Sequence, residues 1–172
     1  MNLQQSLSHI LANFKDAQKE DLTNHALARF IRNEFKNAIP AEFSGRYLVK
    51  SSPGQGVWAE TPWLALMDPS MTKTTTQGVY VCYLFSADMT AVYLTLSQGI
   101  SDHIRIHGKR GAYDVMEQRA QLHRNTLSRL GLKSDSLTLK MVDLKAKGWR
   151  SRAYGHNVIG YKKYTVGQLP TN

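Results

Sequence analysis

The chain has a single cysteine, Cys82, so no internal disulfide can form and a reducing cytoplasm is the expected setting. No apolar run is long enough to span a bilayer, so no membrane partner is expected. The first residues, "MNLQQSLSHILANFKDAQ", lack a basic start, a continuous apolar stretch and a small-residue cleavage site, which argues against a secretory leader. Signatures of catalysis are also missing. "GQG" and "GKRG" do not have the spacing of a phosphate-binding G-x-x-x-x-G-K-[ST] loop. No G-x-S-x-G elbow occurs. Cys82 lies among apolar neighbours, the setting of an inert buried thiol and not of a nucleophile. The expectation is a protein that is not an enzyme and needs no cofactor.

Acidic residues run short in one half only. Residues 1–100 carry eight Lys/Arg and eight Asp/Glu, whereas residues 101–172 carry fourteen and five, so the net charge of +9 belongs to the last 72 residues. A polyanion is the natural partner of such a half, and nucleic acid comes first. A basic face that only aids solubility is the plainer alternative.

With 172 residues, 42% of them hydrophobic and 20% charged, the chain can bury the core of one domain. Two helices open it. Leu7, Ile10, Leu11 and Phe14 form one apolar stripe, and Leu27, Phe30 and Ile31, with Phe35 near the same face, form a second that Pro40 ends. The middle is β-rich: "GRYLVKSS", "PWLALMD", "VYVCYLFS" and "AVYLTLSQG" read as strands, with "SADMT" as a turn. Alternation puts Tyr80, Cys82 and Leu84 on one face of the third strand and Val79, Val81, Tyr83 and Phe85 on the other. "AYDVMEQRAQLHRNTLSRLGL" reads as a helix with Val115, Arg119 and Leu122 on one face, Met116, Ala120, Leu127 and Leu130 near it, and Arg119, Arg124 and Arg129 on or near a solvated side. "SLTLKMVDL" and "NVIGYKKYTV" read as further strands. The class is therefore α+β: a mixed β-sheet core with flanking helices, a helical N-terminal lead over residues 1–40, the domain proper over 41–167, and the start of a linker over 168–172.

Binding chemistry is better represented than catalysis. "KAKGWRSRAYGHNVIGYKKY" interleaves Lys145, Lys147, Arg150, Arg152, Lys162 and Lys163, which suit phosphates, with Trp149, Tyr154, Tyr161 and Tyr164, on which bases can stack. Gly155 and Gly160 would let the backbone bend near a ligand. The competing reading is a strand whose tyrosines fill a core while its lysines face water. Upstream, Gly54 and Gly56 flank Gln55, whose amide both donates and accepts and so suits a base edge or an orphaned base. Trp63, after Pro62, is either a cavity wall or core packing. Asp102, His103 and His107 supply the alternative of a small metal-dependent nuclease, although no further ligand at metal-site spacing accompanies them. A third alternative is a general nucleic-acid binder without modification specificity.

The ordered set "SPGQGVWAETPWLALMD" and "GVYVCYLFSADMTAVYLTLSQGIS" resembles the N-terminal DNA-recognition domain of McrB-type modified-cytosine restriction proteins. The marks are a Gly-x-Gly loop with a following aromatic, a Pro-Trp pair, a Gly-x-Tyr strand and a strand ending in Gln-Gly or Gly-Ile-Ser. The likeness is closest over residues 52–101, continues through "AYGHNVIGYKKY", and covers about two thirds of the chain. It implies a phage-defence module that binds double-stranded DNA containing 5-methylcytosine and flips the base into an aromatic pocket. It assigns that pocket to Trp63, Tyr80, Leu84 and Tyr154, and the DNA-inserting loop to Gly54, Gln55 and Gly56. Gln55 stands where a better-known relative has tyrosine. The resemblance further implies a nuclease or GTPase effector, in cis or in trans.

Overall fold

Asn2 starts the first helix. Its side-chain oxygen accepts from the Gln5 N–H, and the Gln5 side chain accepts from the Asn2 N–H, both at 2.9 Å. This reciprocal cap satisfies two donors that a helix start otherwise leaves free. Helix α1, Leu3–Ala17, then buries Leu7, Ile10, Leu11 and Phe14, the stripe read from the sequence. The structure, a computed structural model, describes residues 1–131 and 137–170.

The second helical segment is less regular than its sequence suggests. Helix α2, Ala26–Arg29, widens into a π-turn over Phe30–Glu34 and tightens into a 3-10 turn over Phe35–Ala38. The buried residues explain this. Leu27, Ile31, Phe35 and Ile39 recur every four positions, a spacing that drifts around a helix of 3.6 residues per turn. One wide turn corrects the drift. Ile39 is extended, as a residue before proline is expected to be, and Pro40 ends the segment. A single turn, α3, Ala41–Ser44, leads into the sheet.

Five strands follow in the order β1 (Leu48–Gln55), β2 (Val57–Met67), β3 (Val79–Phe85), β4 (Ala91–Gln98) and β5 (Val158–Thr165), and neighbours in the chain are neighbours in the sheet. Every pairing is antiparallel, which corrects the expectation of a mixed sheet. The first three connections are short enough to force reversal. The long excursion between β4 and β5 leaves and returns at one end of β4, where the Gln98 N–H donates to the Asn157 carbonyl at 3.1 Å, so β5 also runs back.

Each face of the sheet has its own core. On one, the helical lead packs Phe14, Ile31 and Phe35 against Leu64, Tyr83, Phe85 and Val92. Leu169, in the stretch read as a linker, is buried there as well. The other face holds Met67, Tyr80, Cys82, Leu84, Tyr93 and Val158 under Val142 and Leu144. The division of β3 between the faces follows the alternation in its sequence. The two tryptophans of β2 are an odd number of residues apart and therefore part company. Trp58 meets Phe14 and His25 edge-on and donates from Nε1 to the Glu20 carbonyl at 2.9 Å, whereas Trp63 joins the opposite face.

Three local readings need correction. Residues 137–144 are not a strand: Thr138 makes one isolated bridge to Tyr161, and Val142 and Leu144 are buried while Met141 and Asp143 are exposed. That alternation arises from lying across a sheet face, not along its edge. Ser136 of that stretch is outside the described residues. Helix α4 begins earlier than expected and spans Ser101–Arg129, broken at Gly108 (φ 67°, ψ 177°), a conformation essentially reserved for glycine. Its buried stripe is Ala112, Met116, Ala120 and Arg124, whereas Leu122 is 66% exposed. Arg124 was expected on a solvated side and is only 6% exposed. Its guanidinium donates to the carbonyls of Val158 (2.7 Å) and Ile159 (2.9 Å) and to Glu117 (2.7 Å). Those carbonyls lie where the β4–β5 register slips between Leu96 and Ser97, leaving Ile159 as the extra residue of a bulge. A bulge interrupts the ladder, and Arg124 takes up the carbonyls beside it.

Candidate functional site

A cavity of about 310 Å³ lies on the second face of the sheet. Strand β2 contributes Trp63, β3 contributes Tyr80, Cys82 and Leu84, and β4 contributes Ser97. The first turns of α4 close one side with Ile100, Ile104 and Arg105, and α5, Trp149–His156, closes another with Trp149, Arg150 and Tyr154. The structure thus brings together all four residues that the resemblance assigns to a pocket. Tyr80 and Leu84 share a face of β3 by the two-residue period, and Leu84 pairs directly across the strands with Trp63. Tyr154 arrives from a helix far along the chain.

Helix α5 is held in place from two directions. The Glu60 carboxylate, on β2, accepts from the Gly148 N–H at 2.8 Å and the Lys147 N–H at 3.3 Å. The Tyr113 hydroxyl, on α4, donates to the Trp149 carbonyl at 2.6 Å, and the Tyr113 ring stacks on His156 at 4.6 Å. Gly155 allows the close packing behind it, because a Cβ there would run into the Val142 carbonyl. A Cβ at Gly160 would likewise meet the Leu139 side chain. Both glycines make room for protein, which corrects the reading of hinges beside a ligand.

The cavity interior is apolar enough to hold its polar groups neutral. Burial pushes the Tyr80 hydroxyl and the Cys82 thiol well above their ordinary ranges and raises the Tyr154 hydroxyl in the same direction. On the opposite face burial pushes Tyr83 up to about 12. A tyrosine whose folded pKa exceeds its unfolded value near 10 contributes stability that is complete below pH 10. That contribution is lost as pH rises through the folded value. Stability should therefore decline above pH 10, with tyrosinate absorbance rising together with loss of ellipticity. A smooth tyrosinate titration that leaves the ellipticity intact would contradict this.

The rim is cationic. Arg105 and Arg150 are both exposed and both line the cavity. Lys109 sits 4.5 Å and Arg150 5.6 Å from the Trp149 ring centroid. The other basic residues singled out in the sequence are scattered. Lys145 is paired with Asp143 at 2.8 Å, and Arg152 lies beside Asp143 and His156 in a separate hollow. Lys162 and Lys163 are consecutive on edge strand β5 and point to opposite faces: Lys162 lies over Tyr164 on the side of the helical lead, and Lys163 over Tyr93 on the cavity side.

Gly54, Gln55 and Gly56 form the tip of a tight β1–β2 hairpin instead of an open loop. Gln55 pairs with Val57 across Gly56, and both Gln55 and Val57 (74% exposed) project into solvent. Gly54 takes φ 136°, which side-chain-bearing residues rarely adopt, and a Cβ there would also run into the backbone of Val57 and Ala59. Six residues of extended chain, roughly 20 Å, separate the tip from Trp63.

The residues of the alternative nuclease reading are otherwise engaged. His103 Nε2 is 2.9 Å from Arg119 Nη1, and burial and that arginine hold its pKa below the usual histidine range. His107 stacks on His103 at 6.3 Å, and Asp102 lies 3.7 Å from Arg105. Among the described residues no three His, Cys, Asp or Glu side chains are grouped to hold a metal ion.

Sequence reasoning missed Arg105, Glu60 and Asn157. Arg105 could have been found: Ser101, Ile104 and Arg105 fall on one helical face once the helix is begun at Ser101. Nothing local marks Glu60 or Asn157. Among the described residues no helix is long and apolar enough to cross a membrane. In comparisons with known proteins, a family model described as MrcB-like, N-terminal domain, matches residues 9–172. No curated protein matches the chain.

Proposed function

The chain belongs to the MrcB-like N-terminal domain family and is a DNA-binding domain of a McrB-like restriction system; from that premise we propose that it reads methylated cytosine in duplex DNA by rotating the base out of the stack and into the cavity between the sheet and α5. The observation that carries this reading is the convergence of Trp63, Tyr80, Leu84 and Tyr154 on one hollow whose rim bears Arg105 and Arg150. Extrusion costs a few kcal/mol of stacking and pairing, and aromatic walls offset it. The rim arginines place positive charge where the phosphates flanking an extruded base must pass. Lys147, Arg152 and Lys163 extend the phosphate contacts. Lys145 and Lys162 serve less well, one tied to Asp143 and the other facing the helical lead. The β1–β2 hairpin tip, with Gln55 at its end, enters the duplex where the base has left. A nuclease or GTPase effector, in cis or in trans, supplies the chemistry, and the setting is the cytoplasm.

A methyl group adds little apolar area, so pocket fit discriminates by about 1–3 kcal/mol. Titration of matched duplexes with and without one 5-methylcytosine, at fixed salt, should show tighter binding of the methylated duplex. Raising the salt should weaken binding of both steeply, because phosphate contacts release counterions. Equal affinity for the two duplexes at every salt concentration would remove the proposal.

A further inference from the structure

One buried group in the cavity wall is left unpaired. Asn157 closes α5, precedes β5, is 2% exposed and lines the cavity. Its backbone N–H donates to the Ala153 carbonyl at 3.1 Å, and its own carbonyl accepts from the Gln98 N–H at 3.1 Å. Its side-chain Nδ2 donates to the Gln98 carbonyl at 2.7 Å. A carbonyl can only accept, so this last bond fixes which way the carboxamide points. Gln98 is itself anchored, donating from Nε2 to the Met116 carbonyl at 2.7 Å. The amide of Asn157 therefore cannot swing. Its Oδ1 is left buried with no partner among the described residues.

Neighbouring hydroxyls in the lining are already engaged. Tyr80 donates its one proton to the Thr75 carbonyl at 3.2 Å, so toward the Asn157 side chain, with which it also hydrogen-bonds, its oxygen is left to accept, and the Ser97 hydroxyl shares a 2.8 Å hydrogen bond with Thr95. A rigid, desolvated acceptor beside aromatic walls calls for a flat ligand that brings its own N–H. We propose that Asn157 Oδ1 accepts a hydrogen bond from the 4-amino group of the flipped base, so that the cavity takes a 4-aminopyrimidine and turns away thymine, whose O4 would set acceptor against acceptor. This rests on the base-flipping reading above and adds to it the group that tells cytosine from thymine. Methyl recognition and amine recognition are then separate: the aromatic walls sense the 5-position, and Asn157 senses the 4-position.

The test uses three duplexes that differ only at the target base opposite guanine: 5-methylcytosine, 5-methyl-2-pyrimidinone (which lacks the amine) and thymine. Flanks come from a randomised-flank selection, with 2-aminopurine beside the target as a reporter of unstacking. Both altered bases pair more weakly with guanine and are cheaper to extrude, so extrusion cost alone would make them bind more tightly. The expected result is the reverse. The wild-type protein binds the two altered duplexes about tenfold more weakly than the 5-methylcytosine duplex. The Asn157→Leu variant loses this preference and binds the two altered duplexes at least as tightly as the 5-methylcytosine duplex, and 2-aminopurine brightens with the 5-methylcytosine duplex. If the wild-type protein binds the two altered duplexes as tightly as the 5-methylcytosine duplex, or more tightly, while 2-aminopurine brightens, the base flips but its amine is not read, and this assignment is overturned alone. It is also overturned if Asn157→Leu keeps the wild-type preference. If 2-aminopurine stays dark with the 5-methylcytosine duplex, base flipping fails and the role of Asn157 fails with it. Should circular dichroism show Asn157→Leu unfolded, the wild-type series decides by itself.

Discussion

Trp63→Ala is expected to lower affinity for duplex DNA carrying the modified base by one to two orders of magnitude, while lowering affinity for unmodified DNA far less. Stacking of a base on an aromatic side chain is worth about 1–3 kcal/mol by alanine substitution, and Trp63 is one of the two tryptophans that line the cavity. In the proposed binding mode unmodified DNA is held mainly through phosphates and not through the cavity, so it is the ratio of the two affinities that should collapse. Tyr80→Ala should act in the same direction and in addition releases the Thr75 carbonyl. Tyr80→Phe keeps the ring and separates the two effects. Fluorescence anisotropy on matched duplexes, with circular dichroism as a check on folding, measures the change. Equal losses on both duplexes would show Trp63 to be core packing and nothing more.

Arg124→Met is expected to lower the stability of the protein by about 3 kcal/mol. A methionine side chain fills much of the same space, so the change removes chiefly the polar contacts. Two carbonyls, of Val158 and Ile159, lose their charged donor in a buried place, and each unsatisfied acceptor costs about 1–3 kcal/mol. Glu117 loses its partner too, but it is partly exposed and contributes less. Arg129→Met, on the exposed end of the same helix, should change stability by no more than about 0.5 kcal/mol. Urea unfolding followed by ellipticity compares the pair, and equal midpoints for Arg124→Met and wild type would contradict the argument. Because Arg124 fastens α4 to the start of β5, beside Asn157, the substitution should also weaken binding of modified DNA even where the protein remains folded.

The two residues illustrate what a sequence can and cannot announce. Trp63 stands out because a tryptophan after a proline at the head of an apolar run is unusual, and a resemblance assigns it a role. Arg124 looks like any other arginine on a polar helix. Its burial follows from a bulge in a strand that lies well beyond it in the chain, and no spacing within the helix contains that information. The same contrast separates Trp58 from Trp63. Their odd spacing puts them on opposite faces of one strand, but which face would meet the helical lead and which the cavity depended on where the rest of the chain packed.

By itself the sequence determined the α+β class, the stripe of α1, the stop at Pro40, the division of β3 between two faces, and the concentration of positive charge in the second half. Each is a local property: helical and strand periods are set by backbone geometry within a few residues, and charge simply adds. Only the tertiary structure decided that the sheet is antiparallel throughout, that residues 137–144 lie across it, that Arg124 is inside, and that Lys162 and Lys163 face apart. It alone brought Tyr154 and Asn157 to the cavity that Trp63 lines. Contacts of that kind are made by parts of the chain distant from one another, and the burial and hydrogen bonding that select them act through space, not along the sequence.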